Sequence, residues 1–143
     1  MTQRYISLDV GTKTIGVAVS DELGLTAQGV TTIQRKNFQS DLNQITELIK
    51  KYNTNFFVIG LPKNMNGTEG PRCQSIRDFT RELQNRIEIR VQFWDERLST
   101  VEAERRLIDA DISRRKRKSV IDKQAAVIIL QGFLDSIKIK GVP

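Results

Sequence analysis

The sequence contains no histidine. No Ser-His or Cys-His nucleophile system can therefore be built, and no imidazole can ligate zinc. There is one cysteine, Cys73, which rules out an internal disulfide and a four-cysteine zinc site. Such sparing use suits a reducing compartment, and Cys73 reads most simply as an inert helix residue. Long apolar runs are missing too. The longest, Ala125 to Leu130, falls far short of the roughly 20 residues that cross a bilayer. Met1 to Arg4 lead straight into an apolar strand pattern, so no signal peptide is expected. There is no internal repeat and no low-complexity linker. These absences point to a soluble cytoplasmic protein with no membrane partner. Any hydrolysis it performs would rest on carboxylates with a hard metal ion.

What is present is a chain of 143 residues, the size of one domain over 1–143. That length can bury roughly 70% of the surface its unfolded form exposes, so folding needs neither disulfide nor metal. Lys and Arg number 23 against 17 Asp and Glu, a formal charge of +6, which favours polyanionic partners.

The most informative segment is Tyr5 to Asp21. Two β-rich runs flank Gly11-Thr12-Lys13-Thr14, the pattern of a hairpin. Alternation puts Ile6, Leu8 and Val10 on one face and Tyr5, Ser7 and Asp9 on the other. Closure over the four-residue loop sets Asp9 opposite Gly16 and Ser7 opposite Ala18. The Asp9 carboxylate then stands on small side chains, with room beside it for something that is not protein. A strand-end Asp can equally just begin a turn, and a one-residue slip would undo the arrangement.

Further along, Thr26 to Ile33 reads as a third strand. Ser40 is positioned to cap a helix carrying Leu42, Ile45, Leu48, Ile49 and Tyr52 at helical spacing. Asn55 to Gly60 is nearly continuous in apolar residues, as in a strand buried on both faces. The turn-rich loop Leu61 to Gly70 follows, and its stretch Lys63 to Gly70 is either a substrate-positioning lid or a plain turn. A helix is expected from about Pro71 to Asn85, a strand over Ile87 to Trp94, and a helix opened by the capping box Ser99 to Glu102. The polar stretch Asp109 to Lys118 leads to a last helix from Ser119 to about Ile137. A three-strand meander followed by alternating helix and strand makes an α/β fold with helices on both sides of a mixed sheet. The two later strands are expected parallel to the first.

Three carboxylates fall in telling places. Asp9 ends one strand and Asp95-Glu96 ends another, where ligands of α/β sheets tend to bind. If those strands are parallel neighbours, the acids meet at one edge. Parity alone leaves open whether Asp95 or Glu96 faces Asp9. Asp122 shares a stripe of the last helix with Ala125, Ala126, Ile129 and Phe133, where a carboxylate is costly unless paired or metal-bound. It can also serve the helix start as a first-turn acid. Together, oxygen-only ligands from two strand ends and a helix suit Mg²⁺ or Mn²⁺. A pair of such ions about 3.5–4 Å apart is the usual apparatus of phosphodiester hydrolysis. Just before Asp122 come five consecutive cations, Arg114, Arg115, Lys116, Arg117 and Lys118. Such a run is often a solvated face, but phosphates would relieve its self-repulsion. Arg97 is placed either to hold a phosphate or to bridge to Asp95.

The block Asp9 to Asp21 resembles the opening motif of the YqgF proteins, RuvC-like members of the RNase H-like superfamily. Gly60-Leu61-Pro62 with Asn66 to Pro71, Asp95 to Ala103, and Ile121 to Ala126 with Ile129-Leu130-Gln131 match in order, so the resemblance covers essentially the whole chain. It implies an RNase H-like fold, a five-stranded mixed sheet with its first three strands antiparallel and helices on both faces. It implies that Asp9, Glu96 and Asp122 are the catalytic, metal-binding acids, Glu96 being preferred because RuvC-like nucleases carry a Glu at that strand end. It points to a metal-dependent nuclease using Mg²⁺ or Mn²⁺ that processes the 5′ end of the 16S rRNA precursor, with a pre-ribosomal particle as a partner. Lys13, Arg97 and the run 114–118 are the nucleic-acid contacts expected.

A Holliday junction resolvase acting on branched DNA is the alternative within nucleases. It would need a dimer, whereas the sequence fits a monomer or a homodimer. RuvC-like resolvases often place two acids at the last helix, and before Asp135 only Asp122 is available here. A non-catalytic rRNA-binding assembly factor is a further alternative. An actin-like ATPase shares the Asp-x-Gly-Thr hairpin but needs two such domains, and this chain has one.

Overall fold

The computed structural model describes residues 3–98 and 114–140, with side chains for 3–98 and 123–138. Strands β1 (Ile6–Val10), β2 (Thr14–Ser20) and β3 (Ala27–Gln34) form an antiparallel meander. Helix α1 (Phe38–Tyr52) leads to β4 (Phe56–Leu61), and α2 (Pro71–Arg86) to β5 (Arg90–Asp95). A short 3-10 turn, Glu96–Leu98, ends that run, and α3 (Arg114–Lys140) closes the described chain. The sheet order is β3-β2-β1-β4-β5, with β4 parallel to β1 and β5 parallel to β4. This is the expected mixed five-stranded sheet.

Both faces of the sheet are covered. Ile6, Leu8, Val10, Ile59 and Leu61 pack with Leu42, Ile45, Ile76 and Leu83 of α1 and α2. Tyr5, Ala18, Phe56 and Val58 pack with Ala125, Ala126, Ile129 and Phe133 of α3. The period-2 alternation of β1 thus feeds two cores. No helix among the described residues is long and apolar enough to cross a membrane.

Several boundaries differ from expectation, each for a local reason. The third strand starts at Ala27 rather than Thr26, because the Asp21 carboxylate accepts the N–H groups of Leu25 and Thr26 at 2.7 and 3.2 Å and keeps Thr26 in the turn. Asn37, not Ser40, caps α1: its side chain accepts the Ser40 N–H at 2.8 Å. The fifth strand begins at Arg90 rather than Ile87, since the Ile87 N–H is committed to Leu83 O at the end of α2. The last helix begins at Arg114, so the basic run lies inside α3 rather than ahead of it. The capping box Ser99 to Glu102 lies outside the described residues.

Candidate active site

Asp9 lies on the α3 face of the sheet, one residue before the end of β1. It pairs with Gly16, and Ser7 pairs with Ala18, the register expected from the hairpin. On its other side β1 runs parallel to β4, with Leu8 level with Ile59. One step further along that register, Asp9 is level with Gly60, and Gly60 is level with Trp94 of β5. The carboxylate row is therefore bordered by a glycine on each side. Asp9 is 6% exposed, so its carboxyl is held inside the fold, where a polar group needs partners.

Strands β1 and β5 are not neighbours; β4 separates them. The expected meeting of adjacent strand ends is replaced by a reach across β4, which the missing side chain of Gly60 permits. A Cβ at residue 60 would stand 3.2 Å from Glu96 Cγ and 3.3 Å from its Cδ. It would also stand 2.6 Å from Ile129 Cδ1. The Glu96 side chain thus occupies the α3 face over Gly60, on the side where Asp9 stands.

The choice between the two adjacent acids follows from parity plus the turn. Asp95 is level with Leu61, on the parity of Val91 and Phe93, which face α1 and α2. Its carboxylate accepts from Arg97 four ways: Nη2 at 2.6 Å, Nε at 3.1 Å to each oxygen, and the backbone N–H at 2.9 Å. The hydrogen bonds from the Arg97 side chain, then that from its N–H, hold the Asp95 carboxyl below the usual range. Arg97 is correspondingly committed. It donates from Nη1 to Met65 O at 3.3 Å and packs within 3.5 Å of where a Gly67 Cβ would be. In this structure it bridges Asp95 to the loop.

That loop is a structured element. Gly67 has φ +87°, a conformation that favours glycine. Glu69 receives two bonds from Arg77 at 2.7 and 2.8 Å. Cys73 is fully buried and burial pushes its thiol up, consistent with an inert residue. Lys13 is exposed in the hairpin loop, where its carbonyl accepts the Arg35 N–H at 2.9 Å.

Residue 122 belongs to α3, one turn ahead of Ala126. Ser7 Oγ donates to Ala126 O at 2.7 Å, and the Tyr5 ring meets Phe133 at 5.1 Å. Helix α3 therefore runs antiparallel to β1, and its start lies toward the Asp9 end. The side chains of Asp122 and of 114–118 lie outside the described residues. Among the described residues no three acidic or thiol side chains form a metal cage. Asp9 and Glu96 still supply hard oxygen donors on one face of the sheet, the donor chemistry that fits a divalent cation of the Mg²⁺ type.

Sequence reasoning did not single out Ser7 as an anchor, Gly60 as a passage or Asp95 as a turn cap. Gly60 carried a usable signal: a glycine closing a buried strand marks a close approach.

The RuvX family, described as Holliday junction resolvase, matches residues 3–136. A Bacillus mycoides (strain KBAB4) protein named "Putative pre-16S rRNA nuclease" is 59% identical over 137 residues, covering 93% of this chain and 98% of its own. A Bacillus anthracis (strain A0248) protein of the same name is 57% identical over 135 residues, with the same coverage. Among solved structures, T. thermophilus RuvC in complex with Holliday junction substrate superposes with a TM-score of 0.60 at 9% identity, covering 97% of each chain. The fowlpox virus Holliday junction resolvase gives 0.51 at 15% identity, covering 96% of this chain and 99% of its own. These two likenesses establish the RuvC-like, RNase H-like fold.

Proposed function

Because the chain belongs to the RuvX family, we propose that it is a metal-dependent nuclease that hydrolyses phosphodiester bonds, acting at the 5′ end of precursor 16S rRNA. One observation carries the chemistry: Asp9 and Glu96 reach the same sheet face from strands separated by β4, across the bare backbone of Gly60. The substrate follows the names of the relatives. Such a substrate places the reaction in the cytoplasm.

In this reading Asp9, Glu96 and Asp122 hold Mg²⁺ or Mn²⁺. When bound, a pair of such ions lowers the pKa of the attacking water and stabilises the leaving 3′ oxygen. The protein supplies the geometry. Asp9 sits on a rigid, fully buried strand. Ser7 ties that strand to α3 and so fixes the spacing between Asp9 and the helix bearing Asp122. Asp95 and Arg97 set the turn that points Glu96 inward. The basic run 114–118 and Lys13 add affinity for phosphates without reading sequence.

A DNA junction resolvase is the second reading, favoured by the family description. Incubation with Mg²⁺ or Mn²⁺ and either 5′-extended 16S RNA or four-way DNA junctions, beside Asp9→Asn, separates the possibilities. Cleavage of RNA that Asp9→Asn abolishes supports the proposal. Cleavage of junctions alone promotes the resolvase. Cleavage that survives Asp9→Asn overturns the mechanism, and binding without cleavage points to an assembly factor.

A further inference from the structure

The hairpin loop that follows Asp9 also borders a trough on the opposite side of the sheet. A cleft of about 710 Å³ lies between α1 and α2, lined by Thr12, Arg35, Lys36, Phe38, Phe79 and Arg81 among others. A smaller hollow of about 180 Å³, bordered by Gly11, Arg72 and Pro71, shares Thr12, Arg35 and Ser75 with it. The two adjoin at these shared residues, and their lining extends from Val10, next to Asp9 in the chain, along α2 to Asn85.

Its charges are sorted. Asp41 is 1% exposed and bound to Arg35 Nε at 2.9 Å. Arg35 also donates to Gly11 O at 2.6 Å and lies 4.7 Å from the Phe79 ring centre. Asp78 pairs with Arg81 at 3.5 Å. Lys36 and Arg72 are exposed and carry no ion pair among the described residues. The remaining acid of the trough, Glu82, lies at its far end. The end nearest Asp9 therefore presents unspent positive charge and hydroxyls from Thr12 and Ser75, with half-buried Phe38 at the wall and Phe79 buried beneath Arg35. A cationic groove that follows the backbone is the electrostatic part of the pattern that holds an unpaired nucleic-acid strand.

We infer that this trough receives the single-stranded extension of the substrate beyond the bond being cut, with Lys36 and Arg72 contacting its phosphates. The inference rests on the nuclease reading and adds to it the path of the unpaired strand over the carboxyl edge of the sheet.

The test measures binding of an RNA hairpin with and without a single-stranded extension, across a salt series, in an Asp9→Asn background that cannot cut. The double variant Lys36→Gln, Arg72→Gln is compared with a charge-matched control, Lys50→Gln, Lys51→Gln. The control lies at the other end of α1, about 20 Å away. The expected result is weaker binding of the extended probe only, with a plot of log affinity against log salt shallower by about 1.4, two contacts at roughly 0.7 each. Equal weakening of both probes, an equal effect of the control pair, or no change overturns the trough while leaving the nuclease reading intact. Failure of the parent to bind either probe overturns both.

Discussion

The Glu96 side chain lies against the bare Cα of Gly60, so close that a methyl group there would stand 3.2 Å from Glu96 Cγ. Such a methyl would also meet Ile129 Cδ1 at 2.6 Å, and Ile129 is fully buried. Gly60→Ala must therefore move a packed core side chain or the candidate ligand. The expected outcome is a loss of about 1–3 kcal/mol in urea unfolding, together with a fall in cleavage under conditions where the variant is still folded. An active and fully stable Gly60→Ala would show that Glu96 need not cross β4.

Asp95 acts through its neighbour. It caps the turn that carries Glu96 and anchors Arg97, which in turn reaches Met65 O. Asp95→Asn weakens the bridge, and Arg97→Lys cannot form the two-pronged contact. Both should raise the Mg²⁺ or Mn²⁺ concentration needed for half-maximal cleavage by about 10–100-fold, with little change in affinity for RNA measured without metal. A loss of RNA affinity at unchanged metal dependence would instead make Arg97 a phosphate contact.

Acid should destabilise the fold through identifiable pairs. Hydrogen bonds from Arg97 lower the Asp95 carboxyl, and hydrogen bonds from Arg77 lower Glu69. A carboxylate depressed in the folded state adds stability above its unfolded value, near about 4, and that stability is lost as pH falls through the lower folded value. Thermal midpoints should hold steady from neutral pH down to about 5 and then decline. Asp95→Asn with Glu69→Gln should flatten that decline without steepening any change above pH 7.

Ser7 is fully buried, and its hydroxyl donates to Ala126 O at 2.7 Å. Ser7→Ala should cost about 1 kcal/mol, read as a drop of about 2–4 °C in Tm for a chain of this size. Because the bond ties Asp9's strand to α3, cleavage should fall as well, at temperatures where folding is complete. Normal activity in a destabilised Ser7→Ala would confine the bond to stability.

Much of the fold was legible locally. The alternation of β1 assigned Ile6, Leu8 and Val10 to one core and Tyr5, Ser7 and Asp9 to the other face, as observed. Closure over a four-residue hairpin loop selects the register that buries both sets, and it sets Gly16 beside Asp9. Element ends were less legible because competing caps have similar chemistry. Asn37 and Ser40 are both good caps, and the one with a free N–H three residues ahead prevailed.

By itself, then, the sequence determined the two-faced strand, the hairpin register, the exclusion of histidine chemistry, and the family. Tertiary structure alone decided that β4 lies between β1 and β5, and hence that Gly60 is the passage between Asp9 and Glu96. It also separated Asp95 from Glu96. Alternation governs a side chain only while the backbone stays in the sheet, and at Glu96 the chain turns out of it. Strand order and the exit of a turn depend on contacts between residues far apart in the chain, and no local pattern of side chains records those.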